Sequence, residues 1–200
     1  SQTLLVMAQK LLEQGGKTPA DVDAAAVAAG PGSFTGVRIG VAAAKGFAWG
    51  REIPCYGVST LEAMALGFGA WQGYVCPVMA ARRSQVYNAL FHADCGKLTR
   101  ISMDRAISLE ELGENLQNMQ EPVFLVCSGS LLCYNILSES VPGLVLPPEH
   151  RMHQRAVGVG LLAAAEAARG ADGNGAALVP NYLRLSQAER ERAERLRERT

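Results

Sequence analysis

Two stretches of this chain spell the same order of secondary structure, and that repetition limits the fold more than any single motif. The later stretch opens with apolar runs at about 74–80 and 84–92, turns at Asp94-Cys95-Gly96-Lys97 and enters a third strand at 98–103. Ser108-Leu109-Glu110-Glu111 is a capping box that starts a helix to about Met119. A strand at 122–127, a helix from about Ser130 to Glu139, a strand at 143–146 and an alanine-rich helix from about Gln154 to Arg169 follow, with Gly170 placed to stop the last one. Written as letters, this is βββαβαβα. The earlier stretch reads αβαβα. Its first helix carries Leu4, Leu5, Ala8, Leu11 and Leu12 on one face and ends at Gly15-Gly16. Thr18-Pro19-Ala20-Asp21 has the pattern of a short helical turn. A strand at 24–29, a helix at 33–50, a strand at 53–58 and a helix from the capping box Ser59-Thr60-Leu61-Glu62 to about Phe68 complete it.

The pattern predicts an α/β fold made of a duplicated unit, with the opening strands of the first copy missing. Three strands and their turns need about 25–35 residues. A parallel sheet with a bare edge is unusual, so that segment is expected upstream of Ser1. Gly67, Gly69 and Gly73 mark the joint. Residues 1–70 then form a truncated first lobe, 71–186 a second lobe, and 187–200 a charged tail.

The block Gly30-Pro31-Gly32-Ser33-Phe34-Thr35-Gly36-Val37-Arg38-Ile39-Gly40 joins the first strand to the second helix. Gly30-Pro31-Gly32 makes a tight turn and Ser33 is placed to cap the helix. A Walker A loop needs four residues between its glycines and then Lys-Ser/Thr, whereas Val37-Arg38 follow Gly36 here. The dinucleotide pattern needs Gly-x-Gly-x-x-Gly, and Gly36 comes one residue too late after Gly30 and Gly32. Gly32, Gly36, Gly40, Ala44 and Ala48 recur every four residues, giving a nearly side-chain-free row on the helix. Each mid-helix Gly costs about 1 kcal/mol relative to Ala. A second helix packed along the row would offset that cost, and so would the chain's own sheet.

Acidic and basic residues balance at 19 each, so the chain lacks the basic excess of a protein that grips nucleic acid by itself. No apolar run reaches the length of a membrane span, and the odd set of cysteines (55, 76, 95, 127, 133) has no Cys-x-x-Cys pair, which points to reduced thiols in a cytosol and to no zinc site. His150-Arg151-Met152-His153 offers two imidazoles with no clear third ligand and reads as exposed side chains at a helix start. Ser33, Ser59 and Ser108 read as caps, Cys55, Cys76 and Cys127 as core, and Asp104-Arg105 as a turn. Arg82 and Arg83 sit in a hairpin, either as a solvated turn or facing a phosphate. The Glu/Arg tail from Gln187 pairs Glu191 with Arg195 and Glu194 with Arg197. It reads as a solvated helix, with docking to a partner or an RNA backbone as the sharper alternative. No catalytic, cofactor-binding or metal-binding residue is predicted.

With these residues placed, the chain resembles the bacterial TsaB (YeaZ) family along essentially its whole length. The glycine block matches that family's signature, and Ala44-Lys45-Gly46 continues it. Ile53-Pro54, Gly57-Val58-Ser59 and Leu61-Glu62-Ala63 match the next strand and helix start. Ala81-Arg82-Arg83 with Val86-Tyr87 resembles an Asp-Ala-Arg-x-x-x-Val-Tyr block, although Ala80 stands where Asp is usual. Pro180-Asn181-Tyr182-Leu183-Arg184 resembles the closing Pro-x-Tyr-Leu-Arg. The family's opening strand, with its Asp-Thr-Ser motif, is absent from this chain.

The resemblance implies an actin-like ATPase (ASKHA, ribonuclease H-like) fold and a cytoplasmic role in placing N6-threonylcarbamoyladenosine beside the tRNA anticodon. In that system TsaC makes threonylcarbamoyl-AMP, TsaD transfers the group and TsaE is an ATPase. The family member is the non-catalytic partner of TsaD, works in a larger complex with TsaE, contacts tRNA only indirectly, and also pairs with itself. The family pairs through its first helix and its glycine-block helix. Carried onto this chain, those are Leu4, Leu5, Ala8, Leu11 and Leu12, with Gly32, Ser33, Phe34, Gly36, Gly40, Ala44 and Ala48. Two other readings stay open: a nucleotide-hydrolysing enzyme of the same fold, and a glycoprotease-type peptidase.

Overall fold

The computed structural model describes residues 2–81 and 84–184. The larger sheet is built on β3 (Gly73–Ala80). β3 pairs antiparallel with β4 (Gln85–Asn88) at Val78↔Asn88 and with β5 (Phe91–Asp94) at Val75↔Phe91, so β4 and β5 are two halves of one bent strand. β6 (Lys97–Arg100) pairs with β5, and β7 (Arg105–Ser108) pairs with β4, as two halves of the next. On the other edge of β3 lie β8 (Val123–Val126) and then β9 (Leu144–Val145), both parallel. The strands thus stand in the order third, second, first, fourth, fifth, with α4 (Leu109–Leu116) and α5 (Ser130–Leu137) as crossovers.

The sequence predicts unbroken strands at 84–92 and 98–103, and the structure breaks both. The cause is Asn88, which is fully buried. Its Nδ2 donates to the carbonyl of Ala89 at 2.9 Å, and its Oδ1 accepts from Arg105 Nε at 3.2 Å. One step on, Leu90 N–H donates to Ser102 Oγ at 2.9 Å, while Ile101 and Ser102 N–H both turn to the Leu90 carbonyl. Side chains and a shared carbonyl satisfy the backbone there in place of ladder bonds, which satisfies buried polar groups through a bend.

Alternation along the strands sorts two cores onto the two faces of this sheet. Cys76, Val78, Val123 and Leu125 meet Leu112, Leu116, Cys133 and Leu137 of α4 and α5. Val75, Phe91, Phe124 and Val126 instead meet Leu61, Met64, Ala65 and Phe68, from α3 (Thr60–Leu66) and the turn after it. α3 belongs by sequence to the first unit, so it joins the two.

In the first unit β1 (Ala25–Gly30) pairs in parallel with β2 (Cys55–Ser59). β2 is the only pairing partner of β1 among the described residues. α1 (Gln2–Gln14) precedes the pair, and α2 (Phe34–Arg51) crosses between its strands. Ser59 caps α3 by accepting Glu62 N–H at 3.1 Å, and Ser108 caps α4 by accepting Glu111 N–H at 3.1 Å, which is the serine half of each expected capping box, while the Glu62 carboxylate pairs with Arg100. The last helix, α6 (Ala156–Ala168), is placed with residues 71–186 by the sequence pattern, yet it packs on β1, β2 and α3. A Cβ at Gly158 would stand 2.3 Å from the Ala63 carbonyl, so only glycine lets α6 approach α3 this closely. Beyond α6, residues 173–181 lie on the first unit. Cys55 N–H donates to the Gly173 carbonyl at 2.8 Å, and Lys45 Nζ donates to the Leu178 carbonyl at 2.9 Å. No helix among the described residues is long and apolar enough to cross a membrane.

Candidate functional site

The glycine block and the closing motif meet at the end of β1. Gly30 has φ +126°, and a Cβ there would stand 2.5 Å from the Asn181 carbonyl oxygen. Asn181 N–H donates to the Ala29 carbonyl at 2.6 Å. Ser33 then caps α2, its Oγ accepting Gly36 N–H at 3.4 Å and its carbonyl accepting Val37 N–H at 2.9 Å. The Phe34 ring stacks on Tyr182 with centroids 4.4 Å apart and planes at 20°, and the Arg38 guanidinium lies 5.2 Å from the Phe34 centroid. Such stacks and cation–π contacts each contribute about 0.5–1.5 kcal/mol. The block is therefore a turn locked by the chain's own C-terminal segment, with Pro31 buried inside it. Thr35 is exposed on the first turn of α2, and Arg184 is half-buried just beyond Tyr182. Tyr87 lies on β4 and packs against the α3 core. Arg82 and the charged tail lie outside the described residues.

The small-residue row of α2 does not share one environment. Gly36 is exposed, Gly40 faces Val27 of β1 at 3.5 Å from where its Cβ would be, Ala44 is half-buried, and Ala48 is only 3% exposed. A helix turns about 100° per residue, so a four-residue step drifts by about 40°, and Gly36 to Ala48 is about 120° of rotation. The row starts facing outwards and ends under the chain's own sheet. Ala48 is thus taken by the fold, in contrast to its place in the expected partner face. The face that stays outwards is Thr35, Ala42, Gly46 and Trp49, with Ile39 half-buried on the same line, whose alternating steps of four and three hold one direction. A Cβ at Gly46 would meet nothing within 4 Å, and Trp49 is 82% exposed. A groove of about 620 Å³ runs beside Trp49, between Lys45, Ile53 and residues 174–176.

α1 presents a second exposed surface. Leu4, Leu5, Val6, Met7 and Leu11 are all exposed, with Leu11 at 71%; Ala8 is exposed and Leu12 half-buried. No tertiary neighbour among the described residues covers that face.

Asp104, a turn residue by sequence, is the centre of a network between the units. Its carboxylate accepts Ser59 Oγ–H at 2.6 Å and Arg100 Nη1–H at 2.8 Å. Arg100 Nη2 also pairs with Glu62, and its guanidinium lies 4.7 Å from the Phe91 ring centroid. Burial opposes the charge on Arg100, yet its bonds to Glu62 and Asp104 hold its pKa above the ordinary value. Burial also raises Glu166 of α6, which lies near Glu62. Only the spacing of Arg100 and Asp104 hinted at this in sequence.

No group of three or more metal-ligating side chains comes together among the described residues. His150 and His153 are exposed around a short 3-10 turn at Glu149–Arg151. Burial raises the Cys76 thiol strongly and pushes Cys133 up to about 11, so neither is poised as a nucleophile.

Two units of this kind, with α2 crossing between β1 and β2, α4 and α5 crossing the larger sheet and α3 joining the units, have the plan of the actin-like ATPase fold. The family model described as TsaD, tRNA N6-adenosine threonylcarbamoyltransferase, matches residues 1–191. A Bacillus subtilis protein named tRNA threonylcarbamoyladenosine biosynthesis protein TsaB is 35% identical over 181 residues, covering 90% of this chain and 77% of its own length. The Escherichia coli protein of the same name is 44% identical over 98 residues, 47% of this chain and 42% of that one. The solved structure of YeaZ from Pseudomonas aeruginosa superposes with a TM-score of 0.73 at 25% identity, covering 91% of this chain and 83% of that one. The chain belongs to the threonylcarbamoyltransferase family and, within it, to the TsaB (YeaZ) group.

Proposed function

We propose that this chain is a non-catalytic subunit of tRNA N6-threonylcarbamoyladenosine formation, pairing with TsaD through α1 and the outward face of α2. The observation that carries the reading is the uncovered apolar face of α1, Leu4 to Leu11, together with an outward face of α2 on which Ala42 and Gly46 leave open space beside Trp49. A contiguous apolar face of this kind is what partner surfaces bury. Two helices from each partner would cover an interface of about 1,600 Å². Ala42 and Gly46 allow a partner helix to approach closely, and Trp49 supplies a rigid aromatic anchor of the type that dominates interface energetics. The same surface fits a second copy of this chain, in competition with TsaD. The names of the TsaB relatives support the pathway, and a cytoplasmic place beside TsaE, with tRNA contacted only indirectly, belongs to the same proposal. Activation rather than catalysis fits a site built from a locked turn and packing residues.

Reconstitution tests this directly. A mixture of TsaC, TsaD, TsaE, tRNA, threonine, bicarbonate and ATP should yield much less modified nucleoside when this protein is left out, and an unchanged yield refutes the proposal. Gly46→Leu fills open space, so it should abolish co-elution with TsaD without lowering the thermal melt of the separate chain. The nucleotide-hydrolysing reading rests on the shared fold alone.

A further inference from the structure

On the side away from α2 the first sheet is covered by α3 and α6, and the outer surface of those two helices is exposed. Val27 of β1 faces Gly40 of α2, and its neighbour Ala28 therefore faces the opposite way, towards α3 and α6. A partner seated on α1 and α2 leaves this side free. There, a groove of about 210 Å³ runs between α3 and α6. Its apolar wall comes from the half-buried Leu66 on one side and from Val157 and Leu161 on the other, with the buried Met64 at its base. Val157 is 68% exposed and Leu161 56% exposed, one helical turn apart, so α6 carries an aliphatic pair that no other described residue covers. The rim of the groove is basic. Arg151, His153 and Arg155 line it, and no carboxylate does. Backbone carbonyls hold the two guanidiniums in place: Arg151 Nη1 donates to Gly67 at 3.4 Å and Arg155 Nη2 donates to His150 at 2.6 Å. Neither arginine forms an ion pair among the described residues. A chain with balanced charge overall has thus gathered unpaired cations around one apolar slot.

We propose that this groove docks an acidic amphipathic segment of a partner protein, a helix that sets aliphatic side chains between Leu66 and Leu161 and aims carboxylates at Arg151 and Arg155. The complementarity chooses the occupant. Guanidiniums bind carboxylates in bidentate pairs, and the aliphatic pair on α6 needs an apolar counterpart to leave water. An RNA strand would use the cations but leave Val157 and Leu161 wet. It would also find no ring to stack on, since Phe68, the aromatic residue in the lining, is 1% exposed. The groove has room for one or two side chains, which suits a helix edge. The proposal does not depend on the pairing with TsaD, because the sheet separates the two surfaces.

The test uses the full chain and a fluorescein-labelled synthetic helix of Leu and Glu at heptad spacing, read by polarisation. Saturable binding is expected, weakened about tenfold or more by Arg151→Glu with Arg155→Glu, and likewise by Leu161→Asp. These positions are exposed, and an unchanged circular-dichroism melt confirms each variant's fold. On the unaltered chain, a peptide with Gln in place of Glu should bind about tenfold more weakly. Absence of peptide binding overturns the proposal, as does equal binding of the Gln peptide. Binding of a single-stranded RNA that is lost with the arginines but indifferent to Leu161→Asp also overturns it, in favour of a nucleic-acid surface.

Discussion

Arg100→Met removes the guanidinium that ties the two units together while keeping an apolar stem over the Phe91 ring. The loss falls unequally on its two partners. The Asp104 side chain is 8% exposed, so its carboxylate keeps only the Ser59 hydroxyl and stays buried with an uncompensated charge. Leaving a buried carboxylate in that state costs about 2–3 kcal/mol. Glu62 is 35% exposed and turns to water, so solvent screening holds its share to at most about 1 kcal/mol. Burying a methionine instead of a guanidinium returns part of this, because the desolvation of Arg100 disappears. The net expectation is a loss of about 2–3 kcal/mol. With a urea slope of about 2 kcal/mol/M, the unfolding midpoint should fall by about 1 M. Adding Asp104→Asn to the variant removes the orphaned charge, and the double variant should recover about 1 kcal/mol. Hydrogen exchange should quicken in the first turn of α3 and in the link from β6 to β7, where the network sits. A midpoint within experimental error of the unaltered chain, or a double variant less stable than Arg100→Met, refutes the view that this network holds the joint.

Gly158→Ala drives a Cβ into the Ala63 carbonyl at 2.3 Å and should lower stability by about 1–3 kcal/mol despite the better helix propensity of alanine, whereas Gly46→Ala meets open space and should raise it by up to about 1 kcal/mol; thermal melts of the pair decide, and opposite signs are required. Native thiol labelling at mildly alkaline pH should find one fast cysteine, the exposed Cys95, with Cys55, Cys76, Cys127 and Cys133 reacting only on unfolding; fast labelling of Cys76 or Cys133 contradicts their burial. Glu121 accepts hydrogen bonds from His92 at 3.1 Å and Gln72 at 3.1 Å, and these hold its carboxyl pKa below the ordinary value. A depressed folded pKa means the contact stabilises above the unfolded value of about 4.3 and is lost as pH falls through the folded one. His92→Phe should therefore raise the Glu121 pKa measured by NMR, and an unmoved value refutes the link.

Local chemistry was legible in the sequence and distant chemistry was not. Ser33, Ser59 and Ser108 each cap a helix three residues away, and all three were readable because donor and acceptor lie within one turn. Asn88 gave no comparable warning. Its effect depends on Arg105 and on the Leu90–Ser102 exchange, which exist only once two strands lie side by side. The stack of Phe34 on Tyr182 was hidden for the same reason, although both residues stood in recognisable motifs. The small row on α2 was real as a spacing, but its exposure was misjudged. A four-residue step follows the helix only for two or three turns before it rotates into the sheet.

The sequence by itself determined the order of elements, the caps and turns that bound them, and the repeated plan that puts the chain in its family. These follow from hydrogen bonds and torsional preferences acting within a few residues, where the chain cannot avoid them. The tertiary structure alone decided that α6 returns to the first sheet, that α2 turns Thr35, Ala42, Gly46 and Trp49 outwards, and that Arg100 finds both Glu62 and Asp104. Those outcomes depend on which apolar surfaces fit each other and which charges are then left side by side, and that choice is made between segments far apart in the chain.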